Sequence, residues 1–332
     1  MQADIAKFMF RDLHPGVGLG TASDRYAGWL GQIYSPARFG GKIAKRSKTV
    51  GGKTVTEELL PVESVQEYFQ HFSILELDFT FYSSLLDEHS DPTPTYRVLQ
   101  TYRKHLRDSD HLLLKVPQTI FAQKLWRGGK FVENPGYLNA EIFSQTFYKP
   151  ATEMLGPTLQ GLIFEQEYQA KRDRPSPELF ALALDRFFDK IPQDDLYHVE
   201  VRTEALLTKA YFEVLEKHGI GQVLSHWTWL PPLRKQLSKA SGRFFNAGKQ
   251  AVIRLMTPIG MRYEEAYLKA FPFDKMVEGM MSPRMPEETA EILVEAVGQN
   301  VRANALINNR AGGNAPLIAQ KVAESFIQSS RP

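Results

Sequence analysis

The sequence predicts an α/β fold, a closed barrel of eight strand–helix units, on three observations. Eight short apolar runs of β character alternate with longer stretches of helical period. Seven of those runs carry charged, amide or imidazole side chains in them or at their ends. No GxGxxG turn follows the first run, which argues against an open doubly wound sheet. Strand-then-helix alternation implies parallel strands with right-handed crossovers, and eight units suit a single (β/α)8 TIM barrel spanning residues 1–332.

The first strand is "GVGLGT" (16–21), whose glycines fall inside the strand with the wrong spacing for a dinucleotide turn. A helix near 62–72 leads to "ILELDFTFY" (74–82), and one near 94–106 leads to "HLLLKV" (111–116). Helices near 141–154, 177–190 and 205–218 precede "GLIFEQ" (161–166), "YHVEVR" (197–202) and "GQVLSH" (221–226). "AVIRLM" (251–256) is followed by helices near 263–270 and 286–301, then by "NALINN" (304–309) and a last helix near 314–328. Ser176 before Pro177 and Asn314 before Ala315-Pro316 are N-cap residues set ahead of first-turn prolines.

Composition narrows the function classes. The chain has 332 residues, 43% hydrophobic and 23% charged, enough for a sizeable core. Forty basic residues against 38 acidic ones leave a formal charge of +2, which argues against a polyanion-coating protein while leaving room for a local basic patch. The absence of cysteine excludes disulfides, thiolate nucleophiles and Cys-based metal sites. Asp4, Lys7, Arg11 and Asp12 interrupt the stretch where a signal peptide needs an apolar core, and no apolar run is long enough to cross a bilayer. A cytoplasmic protein without a membrane partner is the expectation.

In a barrel strand alternate residues point inward, and polar groups near the C-terminal strand ends line the catalytic face. Glu76, Asp78 and Thr80 share one parity and Leu75, Leu77 and Phe79 the other. The acids are therefore expected in the lumen and the apolar residues against helices. Glu200 and Arg202 repeat this pattern, as do strand-end Lys115, Glu165, Gln166, His226, Arg254, Asn308 and Asn309. Glu76, Asp78 or Glu200 could exchange protons while Lys115, Arg202 and Arg254 hold an anion, with a Schiff base at Lys115 as a variant. The alternative is that the same charges pair with one another and fill the barrel. Glu76, Glu165, Glu200 and His226 offer ligands suited to zinc or manganese, but the neighbouring cations would repel a metal. No cofactor is expected, a divalent metal being the alternative.

Loops after strands lie on the same face. Residues 38–60 read as an insertion after strand one, and its segment 38–55 carries Lys42, Lys45, Arg46, Lys48 and Lys53 between glycine pairs, as a basic flap or hairpin. Long loops after strands three and six, "QKLWRGGKF" (123–131) and 227–249, mix tryptophans with bases. Such loops suit a small anionic ligand or a nucleic acid strand. "NNRAGGN" (308–314), leading into a helix, could cradle a phosphate.

Together the motifs resemble the YecE-like proteins, domain-of-unknown-function family 72, over nearly the whole chain. Gly20, Thr21, Tyr26, Trp29, Gly31, Tyr34 and Pro36 fit the opening run, and Glu76, Thr80, Phe81 and Tyr82 fit a strand signature in which Asp78 replaces Asn. Lys115 and Pro117, Glu200 and Arg202, Arg254, and "INNRAGGNAP" fit the later motifs. The resemblance implies a barrel similar to xylose-isomerase-like and endonuclease-IV-like barrels, and adds Tyr26, Trp29 and Tyr82 to the expected ligand-binding residues. Glu165 stands where the pattern expects Gln, and Ala122 and Met256 where it expects His, which weakens any His-based chemistry. The leading expectation is an enzyme, or a barrel derived from one, for a small phosphate- or carboxylate-bearing ligand. Nucleic-acid binding or phosphodiester hydrolysis, and a non-catalytic binding barrel, are the alternatives.

Overall fold

A computed structural model describes residues 6–330; Asp4, one of the N-terminal charges, lies outside them. Among the described residues the strands are β1 (Val17–Ala22), β2 (Ala44–Val50), β3 (Lys53–Leu59), β4 (Ile74–Leu77), β5 (His111–Lys115), β6 (Lys124–Arg127), β7 (Lys130–Glu133), β8 (Leu159–Glu165), β9 (Tyr197–Glu200), β10 (Gly221–His226), β11 (Gln250–Leu255) and β12 (Arg302–Ile307). Eight close a barrel in the order β1-β12-β11-β10-β9-β8-β5-β4, with helices between them. The pairs β2–β3 and β6–β7 are antiparallel hairpins outside the barrel sheet. Every run expected to be a strand forms one, and Ser176 and Asn314 cap their helices by accepting from the Leu179 and Leu317 N–H groups.

Two elements differ from expectation. The second barrel strand stops at Leu77, and Asp78–Tyr82 winds into a 3-10 turn. The helix expected over 141–154 is broken into Ala140–Phe143, a π turn at Ser144–Tyr148, and Lys149–Leu155. Pro150 has no N–H to give the preceding turn, so the α-helical ladder cannot run through unbroken.

The chain divides into two compact units. One comprises the described residues up to Leu75, Leu224–Lys235, and the described residues from Val252 onward; the other comprises Glu76–Val223 and Gln236–Ala251. In the first, β1 pairs in parallel with β12, Val17 opposite Ala303 and Thr21 opposite Ile307. A Cβ on Gly20 would lie 2.0 Å from the Ile74 carbonyl oxygen, and one on Gly18 2.3 Å from Asn304 Oδ1. The glycines of "GVGLGT" thus permit close packing inside the unit and form no phosphate loop.

In the second unit β8 pairs with β5 and β9, Phe164 opposite Val199 and Glu165 opposite Glu200. Phe164 packs against Phe143, Phe187 and Phe188 of the helical layer, at ring separations of 5.3, 5.9 and 5.4 Å. Side-chain alternation then turns Ile163, Glu165, His198 and Glu200 to the opposite, lumen face, together with Lys115, which is in register with Ile163. His198 fills the lower part of this face. Its Nδ1 lies 3.0 Å from the Leu196 carbonyl, and a Cβ on Gly221 would come within 2.3 Å of its ring.

Burial pushes the His198 imidazole down to about 4. Above pH 6.5 it is neutral in folded and unfolded chains alike and adds no pH dependence. Below that, the unfolded chain takes up a proton that the folded chain refuses until about pH 4, so stability falls as pH falls across this window. The loss attributable to His198 should total on the order of 3 kcal/mol. Chemical denaturation at stepped pH should show it, and His198→Gln, which cannot take the proton, should remove that part of the slope.

Candidate functional site

The strand ends of the second unit bring four expected residues together. Lys115 closes β5, Glu165 closes β8, Glu200 closes β9, and Arg202 lies two residues beyond. All four side chains are buried. Lys115 Nζ lies 2.6 Å from Glu165 Oε2, and Arg202 Nη2 lies 2.5 Å from the same oxygen and 3.4 Å from Glu200 Oε2. Two cations and two carboxylates balance, which is the condition under which buried charges are tolerated. Two positively charged groups converging on one oxygen also form a clamp of the kind that recognises carboxylate or phosphate.

The 3-10 turn that ends β4 supports this clamp. Thr80 Oγ1 accepts from the Lys115 N–H at 3.1 Å and lies 2.8 Å from the Lys115 carbonyl and 3.0 Å from that of Leu77, to either of which its hydroxyl can donate. Phe81, one residue on, places its ring 3.8 Å from the Lys115 ammonium, a cation–π contact. Glu76 is buried on β4 as its parity requires. Asp78 is not a strand residue: the backbone has already turned, parity no longer applies, and the side chain is half-buried. Tyr82, at the end of the turn, is 68% exposed.

Gln166, directly after β8, is buried in the second unit, and the remaining expected residues lie in the first. His226 ends β10, its Nδ1 2.8 Å from the Thr257 carbonyl, and burial holds it below its ordinary value, neutral at pH 7. Arg254 is fully buried on β11. Asn309 Oδ1 accepts from Trp29 Nε1 at 3.2 Å and from the Ala315 N–H at 2.8 Å. Asn308 caps the short turn that follows it by accepting from the Arg310 N–H. The first turn of the last helix is therefore satisfied by Asn309 and Asn314, and a Cβ on Gly313 would lie 2.3 Å from the Lys275 carbonyl. The segment expected to cradle a phosphate is closed by its own side chains. Tyr26 packs on Trp29 and Phe273 at 5.0 and 5.2 Å and lines a cleft of 510 Å³ with Glu57, Leu59 and Phe271.

The insertion after strand one is a hairpin whose bases are largely neutralised. Lys42 pairs with Glu63, Lys45 with Glu58, and Arg46 and Lys48 with Glu57. Burial raises the Glu57 carboxyl, but hydrogen bonds from Tyr267, Arg46 and Lys48 outweigh it and hold the group below its ordinary value. In the loop region after β10, Arg234, Lys239 and Arg243 pair with Glu295, Glu204 and Glu216. The bases were visible in the sequence; their partners come from β3 and from distant helices. Among the described residues, the grouping with metal-ligand spacing is Asp185, Asp189 and His218, and Lys217 Nζ already lies 2.6 Å from Asp185 and 3.3 Å from Asp189. No helix among them is long and apolar enough to cross a membrane.

Fold and site together define a (β/α)8 barrel protein with an ion-paired polar cluster at its strand ends. The family model described as "Protein of unknown function DUF72" matches residues 19–331, and the chain belongs to that family. The crystal structure of a DUF72 family protein from Thermotoga maritima MSB8 has 17% sequence identity and a TM-score of 0.56, over 94% of this chain and 99% of that one. A DUF72 family protein from Enterococcus faecalis V583 has 12% identity and a TM-score of 0.53, over 93% and 95%. At these identities the likeness is one of fold. No curated protein matches the chain.

Thr80→Val keeps the shape of residue 80 and deletes the hydroxyl that grips Lys115. It should lower unfolding free energy by about 1–3 kcal/mol in urea titrations. An unchanged midpoint would mean that the turn does not anchor the lysine.

Proposed function

We propose that the chain binds a small anionic ligand, bearing phosphate or carboxylate, at the strand ends of the second unit. Lys115 and Arg202 receive the anion, Glu165 is the carboxylate it displaces, and Glu200 is the acid/base group beside it. The observation that carries this proposal is the convergence of Lys115 Nζ and Arg202 Nη2 on one Glu165 oxygen at 2.6 and 2.5 Å. A ligand oxygen that takes the place of Glu165 Oε2 would meet both donors already converged on one point, which lowers the cost of binding. The family resemblance expects glutamine at 165, so the internal carboxylate is a feature of this chain. Pairing of the loop bases with nearby acids weighs against the nucleic-acid alternative, since those ion pairs must be given up before the bases can neutralise phosphates.

Glu165→Gln tests the proposal because it leaves the shape and removes the competing charge. Inorganic phosphate should bind this variant about tenfold or more tighter than the unsubstituted chain by calorimetry. Adding Lys115→Met or Arg202→Met should abolish the gain. Phosphate binding that is absent from Glu165→Gln, or indifferent to loss of either cation, would sink it.

A further inference from the structure

A second polar cluster in the same unit lies just beyond the strand-end clamp along the chain. The polar run that begins at Glu165 continues past the strand as Gln166-Glu167-Tyr168-Gln169. Glu167 Oε1 accepts from the Gln123 and Lys124 N–H groups at 2.9 and 3.1 Å and from Gln169 Nε2 at 2.6 Å. Gln169 Nε2 also donates to Gln123 Oε1 at 3.0 Å. The second carboxylate oxygen of Glu167, Oε2, and the amide oxygen of Gln169, Oε1, are shielded and accept no hydrogen bond. Native proteins rarely leave such acceptors unfilled, and these two, in contacting side chains, can take a donor from water or from a ligand.

Both side chains line a cleft of 400 Å³ that also takes in Phe131 and Tyr168. Phe131 lies directly opposite Trp126 in the β6–β7 hairpin, so the two rings share a face, with centroids 4.9 Å apart. Trp126, Phe131 and Tyr168 are 62%, 61% and 47% exposed. Two large exposed rings lining the cleft, with Trp126 packed beside one of them, mark a surface for a ligand with a flat apolar face.

Charge decides which ligand. Lys124 lies 3.5 Å from Asp173 and 3.7 Å from Glu133, and Arg172 lies 3.3 Å from Asp173, so the cleft carries no surplus of positive charge for a phosphate. Unfilled acceptors repel anions and attract hydroxyl hydrogens. Burial pushes the Glu167 carboxyl up, against the hydrogen bonds that hold its other oxygen. We infer that this cleft binds a neutral sugar, its C–H face stacked on Phe131, Tyr168 and Trp126 and its hydroxyls donating to Glu167 and Gln169.

Saturation-transfer NMR on the full chain tests the inference, with methyl β-glucopyranoside, cellobiose and N,N′-diacetylchitobiose as probes. Ring-proton signals should appear for at least one sugar and should survive added inorganic phosphate. Phe131→Ala and Glu167→Ala should each weaken binding about tenfold, while Phe131→Trp, which keeps a ring, should retain it. Melting curves show whether each variant is folded, and Phe131→Trp guards against a loss caused by a damaged hairpin. Three silent sugars, binding indifferent to both alanine variants, or displacement of the sugar by adenosine would overturn it.

Discussion

Phe164 and Val199 stand opposite one another across β8 and β9, and Phe164 is committed to the helical layer by the rings around it. One residue later on each strand, Glu165 and Glu200 are therefore driven to the lumen face whatever their charge. Sliding either strand by a single residue would bury the phenylalanine in the polar lumen and turn the acids toward phenylalanines. The apolar contacts outside the barrel thus set the positions of the charges inside it. Lys115 and Arg202 then need only reach across to Glu165.

Much of this was legible in advance. Period-two alternation marks Glu165, Glu200, Lys115 and Arg202 as inward-facing and near strand ends, because strand geometry is local. Parity failed at Asp78, where "LDFTFY" keeps the composition of a strand but the backbone turns at Leu77. That turn is held by Thr80 reaching Lys115, a contact across 35 positions that no local pattern announces. The same limit hid the neutralisation of the loop bases. Arg46 and Lys48 looked free because Glu57 lies on the opposite strand of the hairpin, past the last of the bases.

Glu167 and Gln169 escaped notice for another reason. They lie beyond the strand, in a stretch that reads as an ordinary polar loop, and their mutual contact and unfilled lone pairs arise only in the folded chain. An available signal was the length of the polar run after "GLIF", longer than the end of a strand requires. The strand-end quartet and this pair also differ in electrostatic kind. The quartet carries its own countercharges, whereas the pair keeps one unfilled acceptor on each side chain.

The pairing of β1 with β12 bears on how the chain is made. Val17 meets Ala303, so the first barrel strand leaves the ribosome long before its neighbour has been translated. Through most of synthesis the nascent chain carries an unpaired β1 edge, glycine-rich and apolar, of the sort that recruits stray strands. Contacts so distant along the chain also slow folding. A chain cut short before Arg302 would therefore hold every member of the strand-end quartet and still present an adhesive edge, making aggregation the expected fate of incomplete copies.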